Sequence, residues 1–89
     1  MAIKLVLHRV RDYKAWRKAY DEAEPVRKAG GAIQSSVYQA KGDPNNVLVL
    51  HTFATMSDAE KFMTAELRAA MANAGVEGPP RVEFFEEAR

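Results

Sequence analysis

Two histidines close two copies of one tetrad: Leu-Val-Leu-His runs from Leu5 to His8 and again from Leu48 to His51. Histidine titrates near neutrality without perturbation, so either imidazole suits a general base or a hydrogen-bond donor to a bound ligand. The structural alternative is a strand-end histidine bonded to backbone or lying in a subunit interface. Three rings follow the first copy, Tyr13, Trp16 and Tyr20, at spacings that put them on one helix face. With His8, Tyr13, Trp16 and Tyr38 would line an apolar pocket with a few convergent polar groups, the usual make-up of a small-ligand site; the alternative is a plain core in which each ring covers the sheet. His8 is therefore the catalytic candidate, and Tyr13, Trp16, Tyr38 and His51 are the ligand-binding candidates. Arg9 and Arg11 offer charge for a ligand carboxylate, or stay solvated and locally paired beside Asp12. No metal site is expected, because two histidines without a carboxylate at a recognisable spacing make half a coordination shell.

The elements that must carry these residues follow from hydrophobic periodicity. Ala2 to Val10 is apolar on both parities, as in a strand covered on both faces. Asp12 is a helix N-cap, and Tyr13, Trp16, Ala19, Tyr20, Ala23 and Val26 recur at helical spacing opposite a charged face, up to a stop at Gly30-Gly31. Pro25 lacks an N–H and crowds the preceding turn, so a kink or break is expected near Asp21 to Glu24. Ala32 to Ala40 reads as a less buried strand, Gly42 to Asn46 as a loop of several residues, and Val47 to Phe53 as a second strand doubly apolar like the first. A capping box from Ser57 to Glu60 opens a helix whose stripe is Ala59, Phe62, Met63, Leu67, Ala70, Met71 and Ala74. Gly78-Pro79-Pro80 forces an extended connection, and Arg81 to Glu87 is the last strand.

The order is β-α-β-β-α-β, and the doubled tetrad is its internal echo. This is the ferredoxin-like α+β arrangement: one domain spanning residues 1–89, a four-stranded antiparallel sheet with two helices on one face. His8 and His51 share a parity and so a face. Strands one and three are antiparallel neighbours, so register sets their separation, about 5 Å if directly opposite and nearly 7 Å more for each two-residue slip. The chain supplies helices for one sheet face while its central strands are apolar on both, which predicts a homodimer with two sheets packed face to face.

Composition narrows the function classes. Thirteen basic and twelve acidic side chains leave a net charge of +1, no electrostatic case for nucleic acid or an anionic membrane. Strands reading KLVLHRV and VLVLHTF are also too aliphatic to stack RNA bases, although an RNA-recognition module shares the element order. With no cysteine there is no thiol chemistry, which fits a reducing cytoplasm. The N-terminal apolar stretch is short and interrupted by Lys4, unlike a signal peptide or membrane span. A soluble, cytoplasmic protein is expected.

Five stretches carry a resemblance: His8-Arg9-Val10-Arg11-Asp12-Tyr13-Lys14-Ala15-Trp16, Glu24-Pro25-Val26-Arg27-Lys28-Ala29-Gly30-Gly31, Asp43-Pro44-Asn45-Asn46-Val47, Glu66-Leu67-Arg68-Ala69-Ala70-Met71 and Gly78-Pro79-Pro80. In these the chain resembles the dimeric α+β barrel proteins related to the antibiotic biosynthesis monooxygenases, particularly small cyclase-like members. The resemblance implies a homodimeric barrel with a pocket in each subunit, between sheet and helices, for an apolar or aromatic ligand. It implies no cofactor, since the characterised monooxygenases work without metal or flavin, the substrate anion itself reacting with oxygen. Those enzymes commonly carry a tryptophan soon after the third strand and a histidine on the following helix; Phe53 and Phe62 stand in about those places here. Two classes of function follow: a dimeric module that binds a small molecule, or a cofactor-independent monooxygenase or cyclase acting on an aromatic or polyketide-like substrate.

Overall fold

The computed structural model describes residues 1–62 and 75–88. Its elements are β1 (Ala2–Val10), α1 (Tyr13–Glu22), α2 (Glu24–Ala29), β2 (Gln34–Ala40), β3 (Asp43–Phe53), α3 (Met56–Lys61) and β4 (Val76–Glu86). The strands form one antiparallel sheet in the order β2-β3-β1-β4, the α+β ferredoxin-like arrangement that the sequence predicts. The second helix's stripe beyond Phe62, from Met63 to Ala74, and the stretch Glu66 to Met71 lie outside the described residues.

One parity of the central strands is buried and the other is not. On β1 the buried set is Ala2, Lys4, Val6, His8 and Val10; on β3 it is Val47, Val49, His51 and Phe53. This is the helix-covered face. Trp16 of α1 packs with Val6, Val10, Val47 and Val49, while Ala59 of α3 packs with Ala2, Phe53 and Phe62. Ile3, Leu5 and Leu7 of β1 and Leu48 and Leu50 of β3 occupy the opposite face, each partly or well exposed in the single chain.

The break at Pro25 is present and changes more than direction. Asp12 caps α1 by accepting from the Lys14 amide at 3.2 Å, and α1 gives way to α2 at Ala23, which puts Pro25 in the first turn of α2, where no N–H is needed. A continuous stripe would bury Val26. The restart rotates the register instead, so Val26 is 45% exposed and Arg27 is 6% exposed.

Three boundaries differ from the periodicity reading. The β2–β3 turn is only Lys41-Gly42, with Gly42 at φ 81°. Gln39 lies opposite Val47 and Ala40 opposite Asp43, so Pro44, Asn45 and Asn46 form a bulge within β3 rather than a loop. The bulge aims the Asn45 side chain at the start of α1, where its oxygen accepts from the Tyr13 amide at 3.1 Å. Gly78-Pro79-Pro80 is likewise a bulge inside β4, lying between the pairs Leu7–Arg81 and Arg9–Glu77, since an edge strand tolerates missing N–H donors. The N-cap of α3 is Thr55, not Ser57: Thr55 is extended and accepts from the Asp58 amide at 3.1 Å, which makes Thr55 to Asp58 the capping pair and moves Ser57 into the helix.

Gly30 follows α2 with φ −79°, a conformation open to any residue, yet an added Cβ would stand 2.9 Å from Cδ1 of Phe62. Phe62 is locked by Phe53 and His51, with ring centroids 5.1 Å away in each case. Gly30→Ala is therefore expected to destabilise the fold by about 1–3 kcal/mol through overpacking, read as a lower urea midpoint at unchanged slope. An unchanged midpoint would mean that Phe62 yields freely.

Candidate functional site

A continuous row of rings lies between helices and sheet. His8 and Trp16 have centroids 5.4 Å apart, Tyr13 and Trp16 6.0 Å, and Trp16 and Tyr20 are stacked at 4.9 Å. Tyr20 continues to His51 at 6.2 Å, and His51 to Phe62 at 5.1 Å. Helix periodicity produces the first half, since Tyr13, Trp16 and Tyr20 are three and four residues apart on one face of α1. Strand parity produces the second.

The register settles the relation of the two histidines. His8 faces Val47 and His51 faces Lys4, so the imidazoles lie four residues apart along β1, about 13 Å. They are not a pair. Trp16 and Tyr20 bridge them, and each histidine has its own environment.

His51 is committed. Its Nε2 lies 3.1 Å from the Tyr20 hydroxyl. Burial, and then the charges of Arg27 and Lys4, push the His51 pKa down to about 4, so the ring is neutral at pH 7. Burial raises the Tyr20 pKa, against the opposing effects of a Ser35 hydrogen bond and nearby arginines, so the phenol keeps its proton and donates it to Nε2. The imidazole proton then sits on Nδ1, which has no hydrogen-bond partner among the described residues.

His8 is uncommitted. It is 6% exposed, and neither Nδ1 nor Nε2 has a hydrogen-bond partner among the described residues. Burial lowers its pKa, so it too is neutral at pH 7 and offers one donor and one acceptor. A buried polar group left without a partner costs about 1–3 kcal/mol, a cost that a ligand hydrogen bond relieves.

Of the sequence candidates, the fold brings together His8, Tyr13, Trp16 and, through Tyr20, His51. It does not bring Tyr38 to them. Tyr38 pairs with Leu48, on the parity of Leu7 and Leu50, and so stands on the open sheet face, 52% exposed. The strand itself is where the sequence puts it, but the face on which Tyr38 stands depends on its register against β3, which sequence leaves open. Arg9 is bound to Asp43 of β3 at 2.7 Å rather than to Asp12, and so is not a free anchor.

Two charged side chains, neither of them a candidate from the sequence, are in the layer. Lys4 is 1% exposed, with its ammonium 5.3 Å from the Phe62 ring and 5.7 Å from the Phe84 ring. Arg27 lays its guanidinium on the Tyr20 ring at 3.6 Å and donates from Nη1 to the Tyr20 carbonyl. Beside Tyr20 and Arg27 a cleft of about 240 Å³ opens between the first two helices and β2, with Ser35 and Val37 on its sheet side. Among the described residues no group of three or more histidines and carboxylates is placed to hold a metal ion, and no helix is long and apolar enough to cross a membrane.

No family model matches the chain, and no curated protein matches it in sequence. Solved structures do match. A candidate antibiotic biosynthesis monooxygenase from Nitrosomonas europaea superposes with a TM-score of 0.76 at 19% identity, over 100% of both chains. The monooxygenase ActVA-Orf6 of Streptomyces coelicolor, solved in complex with nanaomycin D, gives 0.71 at 21% identity over 99% of this chain and 88% of that one. SnoaB, a cofactor-independent oxygenase from Streptomyces nogalater, gives 0.78 at 5% identity over 99% and 93%. At such identities the similarity is one of fold, and the fold is that of the antibiotic biosynthesis monooxygenase-like proteins.

Proposed function

We propose, from the premise of that shared fold, that the chain is a homodimeric protein that binds a small apolar or aromatic molecule between its sheet and helices, against Trp16 and within hydrogen-bond reach of His8. The observation that carries this reading is the buried His8 imidazole beside the Trp16 ring, whose two nitrogens both lack a partner among the described residues. A core histidine under no functional demand pairs at least one nitrogen or gives way to an apolar residue. ActVA-Orf6, which shares the fold, is a monooxygenase that holds nanaomycin D.

A second reading has one specific observation behind it. A neutral, desolvated imidazole with a free nitrogen can take a proton from a bound phenol or enol, the step that cofactor-independent oxygenation or cyclisation of an aromatic substrate requires. Phe53 and Phe62 add nothing to that chemistry. They are 0% and 3% exposed and fill the core beneath α3.

The test is His8→Phe, with 1-naphthol as a hydroxylated aromatic probe. Calorimetry should show saturable binding to the natural chain and about tenfold weaker binding to the variant, the worth of one hydrogen bond. The unliganded variant should be more stable by about 1 kcal/mol, because two unsatisfied nitrogens are gone. Absent binding to the natural chain, or equal binding to both, would refute the reading. If an aromatic substrate is turned over, loss of turnover at retained affinity in His8→Phe assigns His8 as the base.

A further inference from the structure

We infer that the cleft between the first two helices and β2 is a binding site for a small organic carboxylate, with Arg27 as its anchor. This inference does not rest on the reading of His8. It begins from a charge without an answer. Arg27 is 6% exposed, and among the described residues no carboxylate pairs with it. The cleft's two acids are already engaged by other cations, Asp21 by Arg17 at 3.0 Å and Glu24 by Lys28 at 3.3 Å. A positive charge this far from water ordinarily has a counter-ion.

The donor geometry names the anion. Nη1 is spent on the Tyr20 carbonyl, and Nε, buried, has no partner among the described residues. What remains is the Nε and Nη2 edge of the fork, the edge that takes both oxygens of a carboxylate in two parallel hydrogen bonds; Nε is closed to solvent in the unliganded chain, so entry of the carboxylate parts the side chains that line the cleft. Stacking on Tyr20 at 3.6 Å fixes the plane of the guanidinium, so the edge is held in place rather than searched for. Ser35, on the sheet side of the cleft and directly opposite His51 in register, hydrogen-bonds the Tyr20 hydroxyl and so steadies the ring on which Arg27 is stacked.

Size limits the ligand. A volume of about 240 Å³ corresponds to roughly eight waters at ~30 Å³ each, below the range of drug-sized pockets, and so admits a single ring bearing a carboxylate. Val37 supplies an apolar wall for such a ring.

The experiment is a nitrogen-15 NMR titration of the natural chain with benzoate at ionic strength held constant by chloride, following the Arg27 Nε–H resonance. Benzamide serves as the uncharged isostere and inorganic phosphate as the rival anion. Benzoate is expected to move the resonance saturably and benzamide to leave it in place. In Arg27→Lys, followed through the Ser35 amide, the affinity for benzoate should fall at least about tenfold, since the charge is kept and the fork is lost. Ser35→Ala, a change at an exposed edge-strand position that leaves the core intact, should weaken binding about threefold and keeps the inference open to refutation if Arg27→Lys does not fold. The inference is overturned if benzoate does no more than chloride, if benzamide matches it, if phosphate binds more tightly, or if Ser35→Ala and a folded Arg27→Lys both bind benzoate unchanged.

Discussion

Between pH 6.5 and about pH 4 the protein is expected to lose about 3 kcal/mol of unfolding free energy through His51 alone. The sign follows from the direction of the shift. In the folded chain the His51 pKa is about 4, below the 6.5 of the unfolded chain, so the unfolded state takes up the proton first as the pH falls. The stability is whole above pH 6.5, drains as the pH descends to about 4 and is level below it. His8, also lowered by burial, adds to the loss in the same window. Asp43, whose carboxyl is held down chiefly by its hydrogen bond from Arg9, starts below 3.8 and so acts at lower pH. Against a total stability of about 5–15 kcal/mol for a small domain, a loss of this size is visible in any urea series. His51→Gln should flatten most of the slope, leaving the part due to His8. If the slope survives that substitution, the neutral Tyr20-bonded imidazole is not what sets it.

Replacing Leu5 by lysine is expected to halve the molar mass in solution, from about twice 9.9 kDa to 9.9 kDa by light scattering, while the circular dichroism spectrum of the fold is retained. Leu5 faces Leu50, Leu7 faces Leu48, Ile3 faces Phe85, and Leu48 faces Tyr38, so the open side of the sheet presents a central apolar block, bordered by Glu83 and Arg81 on β4 and by Ser36 on β2. In the single chain, Ile3, Tyr38 and Phe85 are 36%, 52% and 48% exposed. A monomer rarely leaves such a block to water, and a standard interface needs about 800 Å² from each partner, an area that a four-stranded sheet face can supply. An ammonium at its centre, whose cross-strand neighbour Glu83 is already bonded to Arg81 at 3.1 Å, carries a desolvation cost of several kcal/mol and should raise the dimer dissociation constant at least about a hundredfold. A natural chain that runs as a monomer would end the proposal of a dimer, and a Leu5→Lys variant that stays dimeric would move the interface elsewhere.

Parity made most of the fold legible in the sequence. It showed β1 and β3 as doubly apolar, Asp12 as a cap, Pro25 as a break and the overall order of elements. It did not show which parity meets the helices, because Ile3, Leu5 and Leu7 are more apolar than Ala2, Lys4, Val6 and His8, the set that is buried. Lys4 and Arg27 escaped for the same reason: a charged side chain reads as surface, and aromatic faces that cradle a cation are made by residues distant in the chain. The restart of helical phase at Ala23, which exchanges Val26 for Arg27, is a consequence of packing that no periodicity records. Within the candidate site, Trp16 beside His8 could be read from spacing. The Tyr20–His51 bond could not, because it depends on a register that sequence leaves open.

The two prolines in the β4 bulge bear on what the molecule avoids. Strand β4 is an outer strand, and Pro79 and Pro80 are two consecutive residues with no amide hydrogen to offer a newcomer. Lateral growth from that margin, strand upon strand into a filament, would meet a gap in the donor ladder at its first step. The chain keeps an oily sheet face, yet its β4 margin is a poor template for another strand. That asymmetry favours closed assembly over open-ended polymer, and it makes the prolines guards against aggregation as much as punctuation in the strand.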